Sequence, residues 1–358
     1  MSEIYLVTGA TGHLGNTIVK KLVDMGRRVR AVVLPGDKNV SALPEKAEVY
    51  YGDVREKVSL ENAFKAEAGE DVIVIHCAGI VTISSRYNEN VYKVNVEGTK
   101  DVTDLCVENK VKKLVHVSSV HAIPEKPHGE TIREINHFDP DKVVGLYAKT
   151  KAEATQYVLD KAKATGLNAS VVHPSGISGP YDSGKGHITQ LLIDYCDGGL
   201  TAGVKGGYDF VDVRDVADGI IACCEHGRSG ECYILSNRYI SIPELFGIFS
   251  QVTGRKKIRT ILPLWFAKAT AGMAEMYYRI KKQPPLYTAY SLYTLSSNAQ
   301  FSHEKAEKEL GYVPRDFTVT VRDTVQWLTE HGRIKMKKLR PARRGRKRRN
   351  KKAYGTAG

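Results

Sequence analysis

Three glycines carry the first chemical signal in this chain. Gly9-Ala10-Thr11-Gly12-His13-Leu14-Gly15 follows an apolar run, Ile4-Tyr5-Leu6-Val7, that reads as a strand, and it opens an amphipathic stretch that reads as a helix. In that setting one glycine permits the tight turn, one lets the backbone approach a pyrophosphate, and one lets the helix pack on the strand. The free N–H groups of the helix start then face the phosphates. The plain alternative is an ordinary glycine-rich turn, and the strand-to-helix context favours dinucleotide binding over it. Metal chemistry has no comparable signal, since the eleven histidines form no H-E-x-x-H and no Cys/His cluster at ligand spacing. Cys77, Cys106, Cys196, Cys223, Cys224 and Cys232 show no C-x-x-C and read as reduced, buried, small apolar residues.

The elements that must position such a turn follow from the apolar pattern. Strand-like runs at 3–8, 28–34, 47–51, 72–77, 112–118 and 168–173 alternate with helical stretches at about 14–25, 59–67, 89–109 and 146–165. Val72-Ile73-Val74-Ile75 has the continuous β-branched character of a strand buried on both faces. The alternation predicts an α/β fold: a doubly wound parallel sheet of Rossmann type with a smaller C-terminal α/β substrate-binding region. Short strands are expected near 208–212 and 231–235. Ser241-Ile-Pro-Glu244 matches a capping box, Gly254 and Gly311 are placed to end helices, and Ser302 is placed to start one. Residues 263–282 read as a bulky apolar helix. The expected organisation is a nucleotide-binding domain over 1–175 with returning segments near 208–235, a substrate region over about 176–332, and a tail from 333 to 358.

The wider glycine spacing resembles the extended short-chain dehydrogenase/reductase superfamily, also called the NAD-dependent epimerase/dehydratase superfamily, and further motifs occur in that family's order. Asp53-Val54 matches the adenine-contacting acid and its neighbour, and Cys77-Ala78-Gly79 matches the turn that passes the cofactor ribose. Asn95 matches the Asn motif of the next helix. His173-Pro174-Ser175-Gly176-Ile177 matches the segment lying against the nicotinamide. Phe210 to Ala217 and Glu309-Leu-Gly-Tyr312-Val-Pro314 match later habits of the extended branch, so the resemblance spans about 1 to 330. It implies a cofactor site of Gly9, Thr11, Gly12, His13, Leu14, Gly15, Leu34, Asp53, Val54, Cys77, Ala78, Gly79, Asn95, Val117, Tyr147, Lys151, His173, Pro174, Gly176 and Ile177. An acid about 18 residues beyond the last glycine would hold a ribose 2′-OH and favour NAD. That count reaches Val33 and Leu34, so the expected cofactor is NAD(P), with the balance toward NADP.

The resemblance also implies the catalytic group: a Tyr with a Lys four residues later. On a helix these share a face, and the ammonium lowers the phenol pKa by stabilising phenolate. The spacing occurs five times, at Tyr147/Lys151, Tyr157/Lys161, Tyr181/Lys185, Tyr277/Lys281 and Tyr278/Lys282. Only Tyr147 lies one helix after a strand ending in Val117-Ser118-Ser119. Ser119 aligns with the family's catalytic Ser/Thr, and Ser118 is the choice if the register slips by one. The implied activity is reversible hydride transfer between a carbonyl and a secondary alcohol, with Tyr147 as acid/base. Dehydratases of the superfamily place Asp-Glu after the catalytic Thr, where this chain has Val120 and His121, and His121 itself reads as a bystander. The later segments look more like the dihydroflavonol-reductase and 3β-hydroxysteroid-dehydrogenase-like branches, which implies a fairly apolar substrate. Trp265, Phe266, Met273, Met276, Tyr277 and Tyr278 are candidates to line its pocket, against the plainer reading that they are core. A nucleotide-sugar epimerase and a non-catalytic dinucleotide sensor are the alternatives. The resemblance further implies a homodimer built on the helices that contain Asn95 and Tyr147.

Charge divides the chain. Of 53 basic residues against 40 acidic, 13 lie in 333–358, where there is no acid, so residues 1–332 are neutral. The excess says nothing about the ligand of the body. The tail reads as disordered, with solubilisation, nucleic-acid phosphates and an anionic membrane surface as its possible roles. No signal peptide or uncharged run of 18 apolar residues is evident, so a cytoplasmic protein is expected, with peripheral membrane contact as the variant.

Overall fold

The structure, a computed structural model, describes residues 2–83, 86–183, 186–269 and 289–335. The first half alternates as the apolar pattern requires. β1 (Ser2–Thr8) leads to α1 (His13–Asp24), β2 (Arg28–Val33), β3 (Glu48–Tyr51), α2 (Lys57–Phe64) and β4 (Glu70–His76). A continuous helical run follows: α3 (Glu89–Tyr92), a π-turn (Lys93–Glu97) and α4 (Gly98–Glu108). Then come β5 (Lys113–Val117), α5 (Leu146–Thr165) and β6 (Ala169–Pro174).

The second half adds β7 (Gly176–Ser178), α6 (His187–Asp197), β8 (Gly203–Val204), β9 (Gly207–Asp212), α7 (Val213–His226) and β10 (Cys232–Leu235). It continues with β11 (Arg238–Ser241), α8 (Ile242–Thr253), β12 (Ile261–Leu262), α9 (Ala289–Ser296), α10 (Glu304–Leu310) and α11 (Phe317–Glu330).

Seven strands form one parallel sheet in the order β10-β6-β5-β4-β1-β2-β3. Its centre shows why the strands are continuous apolar runs. Val72 and Val74 of β4 enter a core layer with Leu60, Val102, Leu105 and Val158, from α2, α4 and α5. Ile73 and Ile75 enter the opposite layer with Ile18, Val19, Val216 and Ile220, from α1 and α7. Each such side chain contributes about 1.5–3 kcal/mol by burial, and a strand covered on both faces has no polar side to offer. Strand order reverses between β1 and β4, so the crevice at their carboxyl ends is the switch point where such sheets bind ligands.

Beyond β6 the chain builds a three-stranded sheet, β11-β9-β7, and a two-stranded one, β12-β8. These short strands escaped the sequence pattern except for β9, because two to four residues carry too little periodicity. Ser241 Oγ accepts from Glu244 N–H at 3.3 Å as the capping box requires, but the Glu244 carboxylate accepts from Arg238 rather than turning back to the cap. Gly254 and Gly311 end their helices in the left-handed conformation at φ 68° and 67°. The start of α10 is a correction: His303 is its N-cap, and Ser302 Oγ accepts from Glu304 N–H. Of the expected helix over 263–282, residues from 270 onward lie outside the described residues, as does the tail from 336.

Candidate active site

The glycine turn is shaped by close backbone approach. Gly9 has φ +65°, and a β-carbon on it would stand 2.8 Å from the Ala78 backbone at the end of β4. A β-carbon on Gly15 would stand 2.2 Å from the Gly9 carbonyl oxygen, so only glycine lets α1 start this close to β1. α1 begins at Gly12 with no capping side chain and no acid in its first turn. Its N-terminal N–H groups therefore keep their affinity for an anion, as a pyrophosphate site needs. His13 Nε2 lies 2.8 Å from the Pro180 carbonyl and ties this turn to the segment after β7. Leu14, Cys77 and Ile177, each partly buried, pack against the core layer that holds Ile73 and Ile75.

Asp37 stands at this turn. Its carboxylate accepts from Thr11 Oγ1 at 2.5 Å while also capping Asn39 N–H at 2.9 Å. The sequence count stopped at Val33 and half-exposed Leu34. A two-residue extension through Gly36, at φ +79°, carries the chain back and brings the acid in from further along. Asp53, the expected adenine contact, is held by Arg55 at 2.5 Å, which keeps its carboxyl below the usual range. Val54 is buried against Gly98, whose missing side chain admits it.

The turn after β4 is held by α3–α4. Asn95, fully enclosed in the π-turn, accepts from Ile80 N–H at 2.7 Å and donates to the Ile80 carbonyl at 3.0 Å and to Thr150 Oγ1 at 3.1 Å. Asn95 thus clamps residues 78–80 to α5 and does not itself face the crevice. Beneath it, His76 links Thr8 Oγ1 at 2.7 Å and Thr99 Oγ1 at 3.0 Å.

α5 begins after Gly145, whose φ of 97° only glycine adopts freely, and it presents Tyr147, Lys151 and Thr155 along one face. Lys151 Nζ donates to the Val117 carbonyl at 2.8 Å at the end of β5. A β-carbon on Gly79 would stand 3.3 Å from that ammonium, so Lys151 meets the turn expected to pass the ribose. Burial pushes Lys151 down to about 8. Thr155 Oγ1 shares a 2.6 Å hydrogen bond with Ser118. Ser118 is thereby tied to α5, and Ser119 caps the turn Val120–Ala122 that follows β5.

Around Tyr147 lies a ring cluster that sequence reasoning set aside. His121 meets Tyr147 edge to face at 6.1 Å, stacks on Tyr208 of β9 at 5.6 Å, and shares a 2.9 Å hydrogen bond with the Tyr208 hydroxyl. Burial pushes His121 down to about 4, so the imidazole is neutral at ordinary pH. A spacing of 87 residues between His121 and Tyr208 leaves no signal in sequence.

His173 is fully enclosed, with Nδ1 2.9 Å from the Ser119 carbonyl and its ring stacked on Phe138 at 5.1 Å. Trp265 and Phe266, offered as pocket lining, are 70% and 42% exposed. Met273, Met276, Tyr277 and Tyr278 lie outside the described residues, and so do Lys185, Lys281 and Lys282. The remaining pair, Tyr157 and Lys161, is spent on Asp104, at 2.7 and 2.8 Å. Among the described residues there is no group of three or more potential metal ligands. Cys223 and Cys224 are buried free thiols pushed upward by burial, which is the opposite of a reactive pair.

Comparison with known proteins places this geometry. Residues 5–236 match the model of the NAD dependent epimerase/dehydratase family. The chain is 29% identical to sterol demethylase protein B of Methylococcus capsulatus, over 92% of this chain and 99% of that protein. It is 28% identical to human short-chain dehydrogenase/reductase family 42E member 1, over 92% and 88%. The crystal structure of gox2253 superposes with a TM-score of 0.80 at 33% identity, covering 93% of this chain and 99% of that one.

Proposed function

This chain belongs to the NAD dependent epimerase/dehydratase family, within the extended short-chain dehydrogenases/reductases, and on that premise we propose that it is an NAD(P)-dependent oxidoreductase interconverting a carbonyl and a secondary alcohol. The observation that carries the reading is Lys151 on the Val117 carbonyl at the end of β5, just before Ser119 and beside the 77–79 turn, with Tyr147 one turn earlier on the same face of α5 and its ring against His121. A cofactor fits the residues present: the start of α1, with no capping side chain and no acid in its first turn, suits a pyrophosphate. The nicotinamide, when bound, supplies or accepts the hydride.

The protein's own groups handle position and the proton. In the reducing direction Tyr147 gives its hydroxyl proton to the carbonyl oxygen, and Ser119 donates a hydrogen bond to that oxygen. Lys151 stabilises the phenolate left behind and holds the ribose. Oxidation runs the same proton back to Tyr147. The cofactor we assign is NAD, because the Asp37 carboxylate at Thr11 suits a ribose 2′-OH and repels a 2′-phosphate. This reverses the balance toward NADP drawn from the residue count.

The substrate we assign is a fairly apolar ketone or alcohol. Supporting it are the Tyr147–His121–Tyr208 ring cluster and the state of nearby cations: Arg214 is held by Asp212 and Asp323, Arg238 by Glu244, and Arg315 by Asp215. Those arginines are neutralised and offer little to a nucleotide diphosphate. The relative named for sterol demethylation points the same way. The test is absorbance at 340 nm with NAD or NADH and a panel of apolar alcohols and ketones. Tyr147→Phe should lower turnover by about 10²–10⁴ with cofactor affinity retained. Full activity in that variant would refute the site. An epimerase, the family's other activity, would convert a nucleotide sugar without a stoichiometric change at 340 nm.

A further inference from the structure

We propose that the end of the molecule where residues 255–269 meet the root of the C-terminal tail is a docking surface for an anionic lipid membrane, with Trp265 and Phe266 as its apolar contact. This inference is independent of the catalytic reading.

Cations gather there from distant parts of the chain. Arg255-Lys256-Lys257-Ile258-Arg259 places four in five residues, and Lys256, Lys257 and Arg259 are exposed. No described carboxylate pairs with them, in contrast to the neutralised arginines near the crevice. Arg255 donates to the Lys335 carbonyl at 3.2 Å, and these two residues line one surface depression with Cys196, Asp197 and Arg333. Asp197 is the single acid in that lining. Lys335, the last described residue, therefore lies beside the basic loop, and the sequence from Lys337 to Lys352 carries eleven more basic residues and no acid.

The loop is fixed and not merely adjacent in sequence. The Tyr195 hydroxyl donates to the Lys256 carbonyl at 3.1 Å, and Gly203 N–H donates to the Thr260 carbonyl at 2.9 Å. It then feeds the uncharged run Ile261-Leu262-Pro263-Leu264-Trp265-Phe266-Ala267. Trp265 and Phe266 sit edge to face at 5.8 Å with large exposed areas. An exposed Trp–Phe pair six residues along the chain from Arg259 supplies the two parts of an interfacial membrane contact: rings for the headgroup level and cations for anionic lipid. Each cation near such a surface multiplies binding by roughly five, and salt screens the effect.

The experiment is co-sedimentation of the full-length protein with phosphatidylcholine vesicles, with or without 30% phosphatidylglycerol, at low and high salt. Expected are at least tenfold tighter binding to the anionic vesicles, loss of most of it at high salt, and a tenfold or greater loss on truncation after Lys335. Trp265 and Trp327 are the two tryptophans, so a blue shift of fluorescence on vesicle binding should disappear in Trp265→Phe. Equal vesicle binding by truncated and intact protein overturns the proposal. So does a fluorescence shift that survives in Trp265→Phe. Displacement of the protein from vesicles by single-stranded RNA at tenfold lower charge concentration overturns it too and assigns the tail to nucleic acid. Thermal melting of both variants shows that the fold is intact.

Discussion

Asn95 makes the turn after β4 and the catalytic helix a single unit, and Asn95→Ala measures how much that matters. The substitution removes three hydrogen bonds from a fully enclosed amide, to Ile80 N–H, the Ile80 carbonyl and Thr150 Oγ1. Each contributes about 0.5–1.5 kcal/mol net, and the Ile80 groups are only half-buried, so water can replace part of the loss. We expect about 2–3 kcal/mol of destabilisation. With about 2 cal/mol/K of unfolding entropy per residue, a body of this size loses roughly 3–4 °C in Tm. The site should lose more than the fold. Residues 78–80 are freed from α5, and the Gly79–Lys151 approach loosens with them, so NAD affinity should fall by about tenfold, the equivalent of about 1.4 kcal/mol. Differential scanning calorimetry and NAD titration calorimetry read the two quantities separately. A Tm within 1 °C of wild type together with unchanged NAD affinity would refute the clamp.

Two further outcomes follow from the site. Burial places Lys151 near 8, so kcat/KM should fall above about pH 8 as the ammonium that stabilises phenolate is lost. The same group has the opposite effect on stability. Its folded pKa lies below the ordinary lysine value of 10.5, so between about 8 and 10.5 the unfolded chain binds more protons and stability rises with pH relative to Lys151→Met. A flat difference between the two melting curves across that window contradicts the assignment. Asp37→Asn should shift the NADP-to-NAD preference toward NADP by about tenfold, as expected for removing about 1–2 kcal/mol of carboxylate–phosphate repulsion near solvent. An unchanged ratio of kcat/KM values for the two cofactors would return Asp37 to a purely capping role.

Much of the fold was written locally. The Val-Ile-Val-Ile strand, the glycine turn and the 3.6-residue periods of the helices are short-range properties, and the observed strands and helices of the first half fall within about three residues of their expected bounds. Two features that local pattern left open, the acid that reaches the glycine turn and the direction of the His173 side chain, depended on which way a side chain points after a strand ends. A loop that doubles back through Gly36, and a strand residue whose alternate face lies under Ser119, settle those directions.

The amino-acid sequence by itself determined the order of strands and helices in the first half, the neutral body and the basic tail. It also determined that Tyr and Lys would share a helical face, because period and charge are carried by neighbouring residues. Tertiary structure alone decided that Ser118 is tied to α5, which acid reaches the glycine turn, and that His121 and Tyr208 meet beside Tyr147. It alone also set Lys335 against Arg255 and left Trp265 facing solvent. Those facts depend on contacts between residues 26 to 87 positions apart, whose closeness follows from sheet order and helix packing and from nothing in their local sequence.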